Sequence, residues 1–497
     1  MSKQLLIYTP FAIMPPHFET DLNVLKRFLD NGYEATVLRC SGQLLTCESN
    51  PHHRSITCHL CKSRFRSGIA WIGRNRVRIE DFYWLTDAQK AQIAELRENR
   101  FGSLDELRAF RLEGSDIGMA AISSAVHFLR EPKPDMRVNW DIIQRNLLSA
   151  AIVHFSITNH LKQKQPDVFV LFNGRFAALR PALRAAQVLG IETYVHERGG
   201  SLDRYSLTRN TYPHDLAVAK TTLNEVYRSA PESDAEKRAI AQEWFAERMA
   251  NKVQNWFSFT RGQTEGRLPQ SLNDSKVNVG VFISSDDEFV AVDGRENPFY
   301  QDQNAALRQL FSEFQGLDTV RFFVRVHPNL RDVDNSQTRG LRRIAEEFPN
   351  TEIIDAGSSI HTYSLVQAVD LVLTYGSTVA IEAVYLGKPS ILMGRHLCED
   401  LGGVIRPASH GELLDIIRTF SNDRSLPPVE NGEEAWVKYG FSQKRYGSEF
   451  EYASPIDLAR VALKTENREY LVKGNVVLRI LNKLVTEATH FAGARRK

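Results

Sequence analysis

The chain has 497 residues, too many for one ordinary domain, so two or three are expected. Its composition, 42% hydrophobic and 25% charged, fits a globular enzyme and excludes a disordered or collagen-like chain. The net charge of +2 gives no reason to expect nucleic-acid binding, and five cysteines are too few for a secreted disulfide framework.

Residues Gln4–Tyr8 read as a short apolar strand that stops at Pro10, with no small-residue cleavage site after it. No stretch approaches the roughly 18 uninterrupted apolar residues of a membrane span, so a cytoplasmic protein is expected. Phe18, Leu22, Leu25 and Leu29 recur at helical spacing before Asn31-Gly32, and Tyr33–Leu38 reads as a second strand. This strand–helix–strand opening predicts a parallel sheet. From Thr86 to about Lys164 the pattern is helical, broken at Gly114 and at Glu131–Pro134. Asp167–Phe172 is a strand, Phe176–Leu189 a helix and Glu192–Val195 a strand. A polar helical stretch runs from Lys220 to about Phe257, and residues 262–276 read as an interdomain linker.

A second alternation follows. Strands are predicted at Val277–Ile283, Arg321–Val326, Glu352–Ile354, Leu371–Thr374 and Ser390–Met393. Helices lie near Ala305–Phe314, Gly340–Phe348, Thr362–Val369, Thr378–Leu386 and Gly411–Phe420. The expected domains are 1–261, with a Cys-rich loop at 40–61 and a helical insertion; 277–460; and a helical tail, 461–497. That tail is apolar and basic at helical spacing. It reads either as a helix on an anionic membrane surface or as a helix packed on the core with a solvated basic end.

In open parallel sheets ligands bind beyond the carboxyl ends of the strands, so the loops there carry the chemistry. Strand Asp370–Thr374 runs into Tyr375-Gly376-Ser377-Thr378 and at once into a helix bearing Glu382. Gly376 permits a tight turn, and Ser377 and Thr378 sit at cap positions beside unpaired backbone N–H groups. The segment reads as a phosphate cradle with Glu382 beside a ribose, or equally as a capped core helix. Strand RFFVRV ends in Arg325, His327 and Pro328, whose cation and imidazole suit a phosphate leaving group. VNVGVFI ends in Ser284 and Ser285, read as a ligand-facing loop, with three carboxylates behind them.

In the first half, Asn173-Gly174-Arg175 and His196-Glu197-Arg198 each follow a strand, and His17 and Glu19 open the first helix. Arg175 and Arg198 suit an anionic ligand, and Glu19, Glu197 and His17 are candidates for a base, although a carboxylate in a first helical turn is also stabilised by the dipole. The motifs GxxxxGK[ST], GxGxxG, HExxH and GxSxG are absent, which weakens a P-loop kinase, a dinucleotide-dependent dehydrogenase, a zinc protease and an α/β-hydrolase. Cys40, Cys47, Cys58 and Cys61 fall within 22 residues, and such a set can present four thiolates to structural zinc; an iron–sulfur cluster and unliganded or redox thiols are the alternatives.

RVHP at one strand end and YGSTVAIEAVYLGKP at a later one resemble the GT-B glycosyltransferases, and more narrowly the bacterial capsule-polysaccharide group. That group is related in its second domain to Kdo transferases, bacterial sialyltransferases and the glycerophosphotransferases that use CDP-alcohols. The resemblance covers roughly residues 277–422; HFET, FNGRFA and HERGG extend it more loosely. It implies a GT-B-like α/β fold, two Rossmann-like domains facing across a cleft. It also implies a nucleotide-sugar donor on the second domain and a polysaccharide or lipid-linked acceptor on the first. Arg325 and His327 would contact the donor phosphate, Gly376, Ser377 and Thr378 would cradle it, and Glu382 would lie by the ribose. The reaction implied is inverting and needs no metal for catalysis, with Glu19 as first choice of base and Glu197 as second. A sugar-nucleotide epimerase of the same fold, or a non-catalytic assembly protein, are the competing readings.

Overall fold

The alternation of apolar strands and helices builds two separate sheets in a computed structural model that describes residues 2–255, 257–272, 275–349, 351–466 and 469–494. The first unit holds Met1–Leu129, Pro134–Pro213 and Gly447–Lys497; the second holds Arg130–Lys133 and His214–Tyr446.

In chain order the first unit contributes β1 (Gln4–Thr9), β2 (Glu34–Arg39), β3 (Val77–Asp81), β4 (Val168–Phe172), β5 (Thr193–Arg198) and β6 (Arg204–Arg209). The second contributes β7 (Val277–Phe282), β8 (Val320–Arg325), β9 (Thr351–Ile354), β10 (Leu371–Thr374) and β11 (Ser390–Leu392). The chain then returns to the first unit with β12 (Ser448–Glu449), β13 (Ala453–Asp457), β14 (Arg460–Lys464) and β15 (Glu469–Leu471).

The first sheet runs β12-β6-β5-β4-β1-β2-β3, with every strand parallel except β6, which is antiparallel to both its neighbours. The second runs β11-β10-β7-β8-β9, parallel throughout. In both, the order spreads outward from the first strand in two directions, the doubly wound Rossmann-like topology. Every residue of β4, β7 and β10 is buried, which explains why these strands read as unbroken apolar runs rather than alternations. The order reverses between β1 and β4, and again between β7 and β10; ligands of such sheets bind at this point. The α/β class, the two Rossmann-like units and the placing of the Cys-rich segment and helical insertion in the first unit are as expected.

The unit boundaries differ from the linker expected at 262–276. The chain leaves the first unit at Pro213 and comes back at Gly447. Helices Leu216–Ser229 and Asp234–Met249 belong to the second unit because their apolar residues Leu223, Trp244 and Phe245 pack with Ala380, Ile381, Ala435 and Tyr439. The described part of 262–276 is also tied there: Thr264 bridges Ile360, and the Gly266 N–H donates to Ser364 Oγ at 2.9 Å. Residues 461–497 do not form a purely helical tail. They supply β14 and β15 of a three-stranded antiparallel sheet whose Val461, Leu463 and Val472 pack with Phe18 and Ile69. Strands β3, β6 and β12, the two edges and the strand next to one of them, went unread because they are polar and carry no apolar run.

One buried ionic network anchors the insertion. Arg180, 1% exposed, donates to Asp116 Oδ2 from Nε (2.8 Å) and Nη2 (2.5 Å), and Arg184 Nε donates to Oδ1 at 2.9 Å. Burial alone would raise the Asp116 carboxyl, but hydrogen bonds and charge from the two guanidiniums outweigh it and hold the group well below its usual range. A group so depressed stabilises the fold above the unfolded carboxylate value and loses that contribution as pH falls through the folded one. Asp116→Asn leaves Arg180 buried without its counter-charge. It is expected to cost about 3–5 kcal/mol at neutral pH, with the penalty shrinking in acid, as read by denaturant unfolding.

Candidate functional site

Beyond the carboxyl ends of β7, β8 and β10 the second unit holds a cavity of about 280 Å³. Three strand-end loops form it. After β10 the backbone turns at Gly376, whose φ of 126° is closed to ordinary side chains and whose Cβ position would lie 3.1 Å from the Arg395 carbonyl. Ser377 and Thr378 follow and line the cavity. Ser377 Oγ accepts the Val379 N–H at 3.3 Å, while Thr378 is already helical and makes no capping bond; its hydroxyl lies 3.5 Å from His396 Nε2.

After β8 comes His327. The Asn329 N–H donates to its Nδ1 at 3.2 Å, which assigns the proton of the neutral ring to Nε2. Burial, and then the neighbouring Arg325 charge, push the imidazole down to about 4, so it is a neutral donor at pH 7. Phe259 packs edge-on at 4.7 Å between ring centroids. Arg325 is 2% exposed and its guanidinium donates to the carbonyls of Asp355 (2.5 Å) and Ser358 (3.3 Å). Burial lowers it to about 10, and it stays charged at neutral pH while bracing the loop after β9. Pro328 and Ser284 complete this side, the Ser284 backbone being clamped by Gln303 and Gln337.

Glu382 does not stand open for a ribose. Arg248 Nε donates to its Oε1 at 2.6 Å and the Tyr363 hydroxyl reaches the same oxygen at 3.3 Å. Burial opposes the Arg248 charge, but the Glu382 carboxylate prevails and raises its pKa. The guanidinium lies over the Trp244 ring, 4.9 Å from its centroid. Two expected residues fall outside the cavity lining. Tyr375 turns into the core against Tyr300, ring centroids 5.7 Å apart, and the Ser285 hydroxyl is buried and spent on Asp287.

Sequence reading missed Arg248, Phe259, Phe289, Arg295 and His396, all of which line the cavity. His396 follows β11 directly, so the strand-end rule that selected His327 applies to it equally. Its Nδ1 accepts the Cys398 N–H at 3.3 Å, and burial, then the charges of Arg295 and Arg248, push the ring down to about 3. Arg248 was out of reach because its helix was assigned to the wrong domain.

The first unit gathers its own polar cluster at the ends of β1, β4 and β5. Asn173, in the left-handed region at φ 59°, donates from Nδ2 to Glu197 Oε2 at 2.8 Å, and the Arg198 N–H donates to Glu197 Oε1 at 3.0 Å. His17 Nδ1 lies 3.7 Å from Glu197 Oε1 and its ring stacks on Phe172 with centroids 3.9 Å apart. Gly174, also left-handed, leads to Arg175, whose Nε donates to Ser123 Oγ at 2.9 Å. Arg198 reaches the Leu458 carbonyl at 3.1 Å. Glu19 stands apart: it is 1% exposed, paired with Arg64, and raised by burial against that charge. Glu197 is therefore the more accessible carboxylate, 15% exposed against 1%.

The four clustered cysteines are free thiols. Among the described residues no group of three or more His, Cys, Asp or Glu is arranged to hold a metal ion. Cys58 and Cys61 lie within helix Ser55–Ile72. The sulfurs accept polar hydrogens instead: Cys40 from the Gly42 N–H (3.3 Å), Cys58 from Asn50 Nδ2 (3.3 Å) and Cys61 from the Ala12 N–H (3.1 Å). Burial raises the Cys40, Cys47 and Cys61 thiols, and the neighbouring thiols add to the rise.

No protein-family model matches the chain, and no curated protein matches it in sequence. Among solved structures it is similar to the KpsC beta-Kdo 2,7 transferase of Thermosulfurimonas dismutans, at 13% identity over 64% of this chain and 86% of that one, with a TM-score of 0.33. It is also similar to the S. aureus MnaA–UDP co-structure (11% identity, 90% and 94% covered, TM-score 0.28) and to the glycosyltransferase SnogD from Streptomyces nogalater (12%, 90% and 98%, 0.23).

Beside the thiols, burial raises Glu48 to about 7, partly offset by the Ser124 hydroxyl that donates to its Oε1 at 2.6 Å; its Oε2 has no partner. A carboxyl raised on folding keeps its proton while the unfolded chain loses one, so stability falls as pH climbs from about 4.5 to about 7. Glu48→Gln removes this fall. The variant should be more stable than the parent by about 1–3 kcal/mol at pH 8 and equal to it near pH 4.5, as read by thermal unfolding across pH.

Proposed function

We propose that the protein is a glycosyltransferase that takes a nucleotide-sugar donor into the cavity of the second unit and passes the sugar to a cell-surface polysaccharide or glycolipid acceptor. The observation that carries the reading is the convergence in one cavity of Arg248, Arg295, Arg325, His327 and His396 with the hydroxyls of Ser377 and Thr378. Glu288 and Glu382 are the carboxylates there, and Glu382 is neutralised by Arg248. Such a set suits a diphosphate: guanidiniums supply charge, the neutral imidazoles donate from Nε2, and Phe259 and Phe289 offer flat apolar surface to a base. The sequence resemblance to capsule-type transferases points the same way.

In this reading the leaving phosphate gains charge as the glycosidic bond breaks, and the cationic lining favours that charge over the intact donor. The acceptor is held by the first unit. Glu197, oriented by Asn173 and the Arg198 N–H, takes the proton of the attacking hydroxyl and the sugar inverts. Glu19, buried under Arg64, serves to hold the first helix. The protein works on the cytoplasmic side, where nucleotide sugars are made.

Thermal-shift and calorimetric titration with UDP, GDP and CMP and their sugars test the donor site. Arg295→Ala or His327→Ala is expected to weaken binding of the preferred nucleotide by about 10–100-fold, since hydrogen bonds to charged groups contribute about 1.5–3 kcal/mol each. Binding that is unaltered in both variants rules out the cavity. Glu197→Gln is expected to lower kcat by about 10²–10⁴-fold with donor affinity unchanged. Conversion of the donor to its epimer without acceptor would replace transfer by epimerisation.

A further inference from the structure

Helix Val476–Ala494 is attached the wrong way round for a soluble surface helix. Such a helix normally turns its apolar stripe inward. Here polar side chains tie it to helix Ser55–Ile72 and the residue before it: the Thr57 hydroxyl donates to Asn482 Oδ1 at 2.6 Å, and Arg54 Nη1 donates to Thr486 Oγ1 at 3.4 Å. Apart from the half-buried Leu478, the apolar side chains described in this helix point out. Val476, Val477, Ile480, Leu481, Leu484 and Val485 are 40–62% exposed and form the largest run of exposed aliphatic residues in the chain's described part. At about 100° per residue these six occupy one continuous half of the helix, with Arg479 and Lys483 flanking its edge.

The charge is as one-sided as the apolarity. Residues 473–497 contain six Lys or Arg (Lys473, Arg479, Lys483, Arg495, Arg496, Lys497) against one acid, Glu487. That segment is net +5 in a chain that is +2 overall, so the remaining residues are net −3. A second copy of a patch this basic is a poor partner for it, because like charges would meet. An anionic surface that also accepts aliphatic side chains satisfies both properties. No helix among the described residues is long and apolar enough to cross a membrane, so the geometry is that of a helix lying in the interface.

We propose that helix Val476–Ala494 docks the protein on an anionic lipid bilayer, burying its outward aliphatic half at the headgroup–acyl boundary while Arg479 and Lys483 contact lipid phosphates. Asn482 and Thr486, on the other half, line a cavity of about 580 Å³ with Glu48, Asn50, His52 and Arg54 of the same unit. The bilayer contact would therefore bring this cavity, whose wall also includes Ile13, Met14 and Pro15, close to the headgroup layer. The proposal stands on the helix alone and does not depend on the donor site.

Flotation of the full-length protein with vesicles of phosphatidylcholine containing ~30% phosphatidylglycerol tests it, against pure phosphatidylcholine, at about 0.1 M and about 0.5 M salt. Binding is expected to the anionic vesicles only, and to weaken at the higher salt. Arg479→Gln with Lys483→Gln should weaken it by about 30-fold. Ile480→Glu with Leu484→Glu should abolish it while leaving the thermal midpoint unchanged, since both side chains are already 56% exposed. Failure of the parent protein to float, or equal flotation of the Glu double variant, overturns the proposal. So does a dimer, seen by light scattering, that covers the face and that the double variant breaks without any vesicle binding.

Discussion

The ion pair between Arg248 and Glu382 sets the character of the second unit's cavity. A carboxylate at that point, unpaired, would repel any phosphate and would cost several kcal/mol to bury. With Arg248 held at 2.6 Å by Nε, the carboxylate is satisfied, and the guanidinium is fixed between it and the Trp244 ring. A pair of this kind is a weak source of net stability, because desolvation offsets most of the attraction. What it does provide is a charge whose position is settled before any ligand arrives, the condition under which electrostatic stabilisation requires no reorganisation.

The same cations govern the histidines. Burial removes most of the water that would support an imidazolium, and Arg325 beside His327, or Arg295 and Arg248 beside His396, push further in the same direction. Both rings are neutral at pH 7 for that reason, and in both the Nδ1 atom already accepts a backbone N–H. Charge and hydrogen-bond donation are thus divided between residue types in the cavity: the arginines hold the positive potential, and the imidazoles offer directional Nε2–H groups.

Legibility in the sequence followed burial. Strands β4, β7 and β10 are buried at every residue and β8 at all but one, so they were readable as apolar runs, and with them the loops after β8 and β10 that carry His327, Gly376, Ser377 and Thr378. Strands β3, β6 and β12 are polar, at or next to the sheet's edges, and left no periodic trace. Arg248 contributes from a helix that the chain reaches more than a hundred residues before Glu382, and only the packing of Trp244 and Phe245 against Ala380, Ile381 and Tyr439 reveals that it belongs to this unit. Tyr375 shows the opposite error: adjacency to Gly376 suggested a ligand contact, but its ring packs against Tyr300 in the core.

The cysteine segment separates composition from geometry. Four thiols within 22 residues satisfy the spacing of a metal site, yet spacing constrains only how close the sulfurs can come, not where they point. Helix Ser55–Ile72 carries two of them, and its orientation is determined by Leu60, Phe65 and Ile69 in the core and by the polar contacts that Arg54 and Thr57 make with Asn482 and Thr486. Those anchors hold the helix in place by packing and hydrogen bonds, and Cys40, Cys58 and Cys61 each accept a polar hydrogen. The helix that ends the described chain is held by the same two contacts. Its polar half is committed to the protein by Asn482 and Thr486, and this commitment is what leaves the aliphatic half outside.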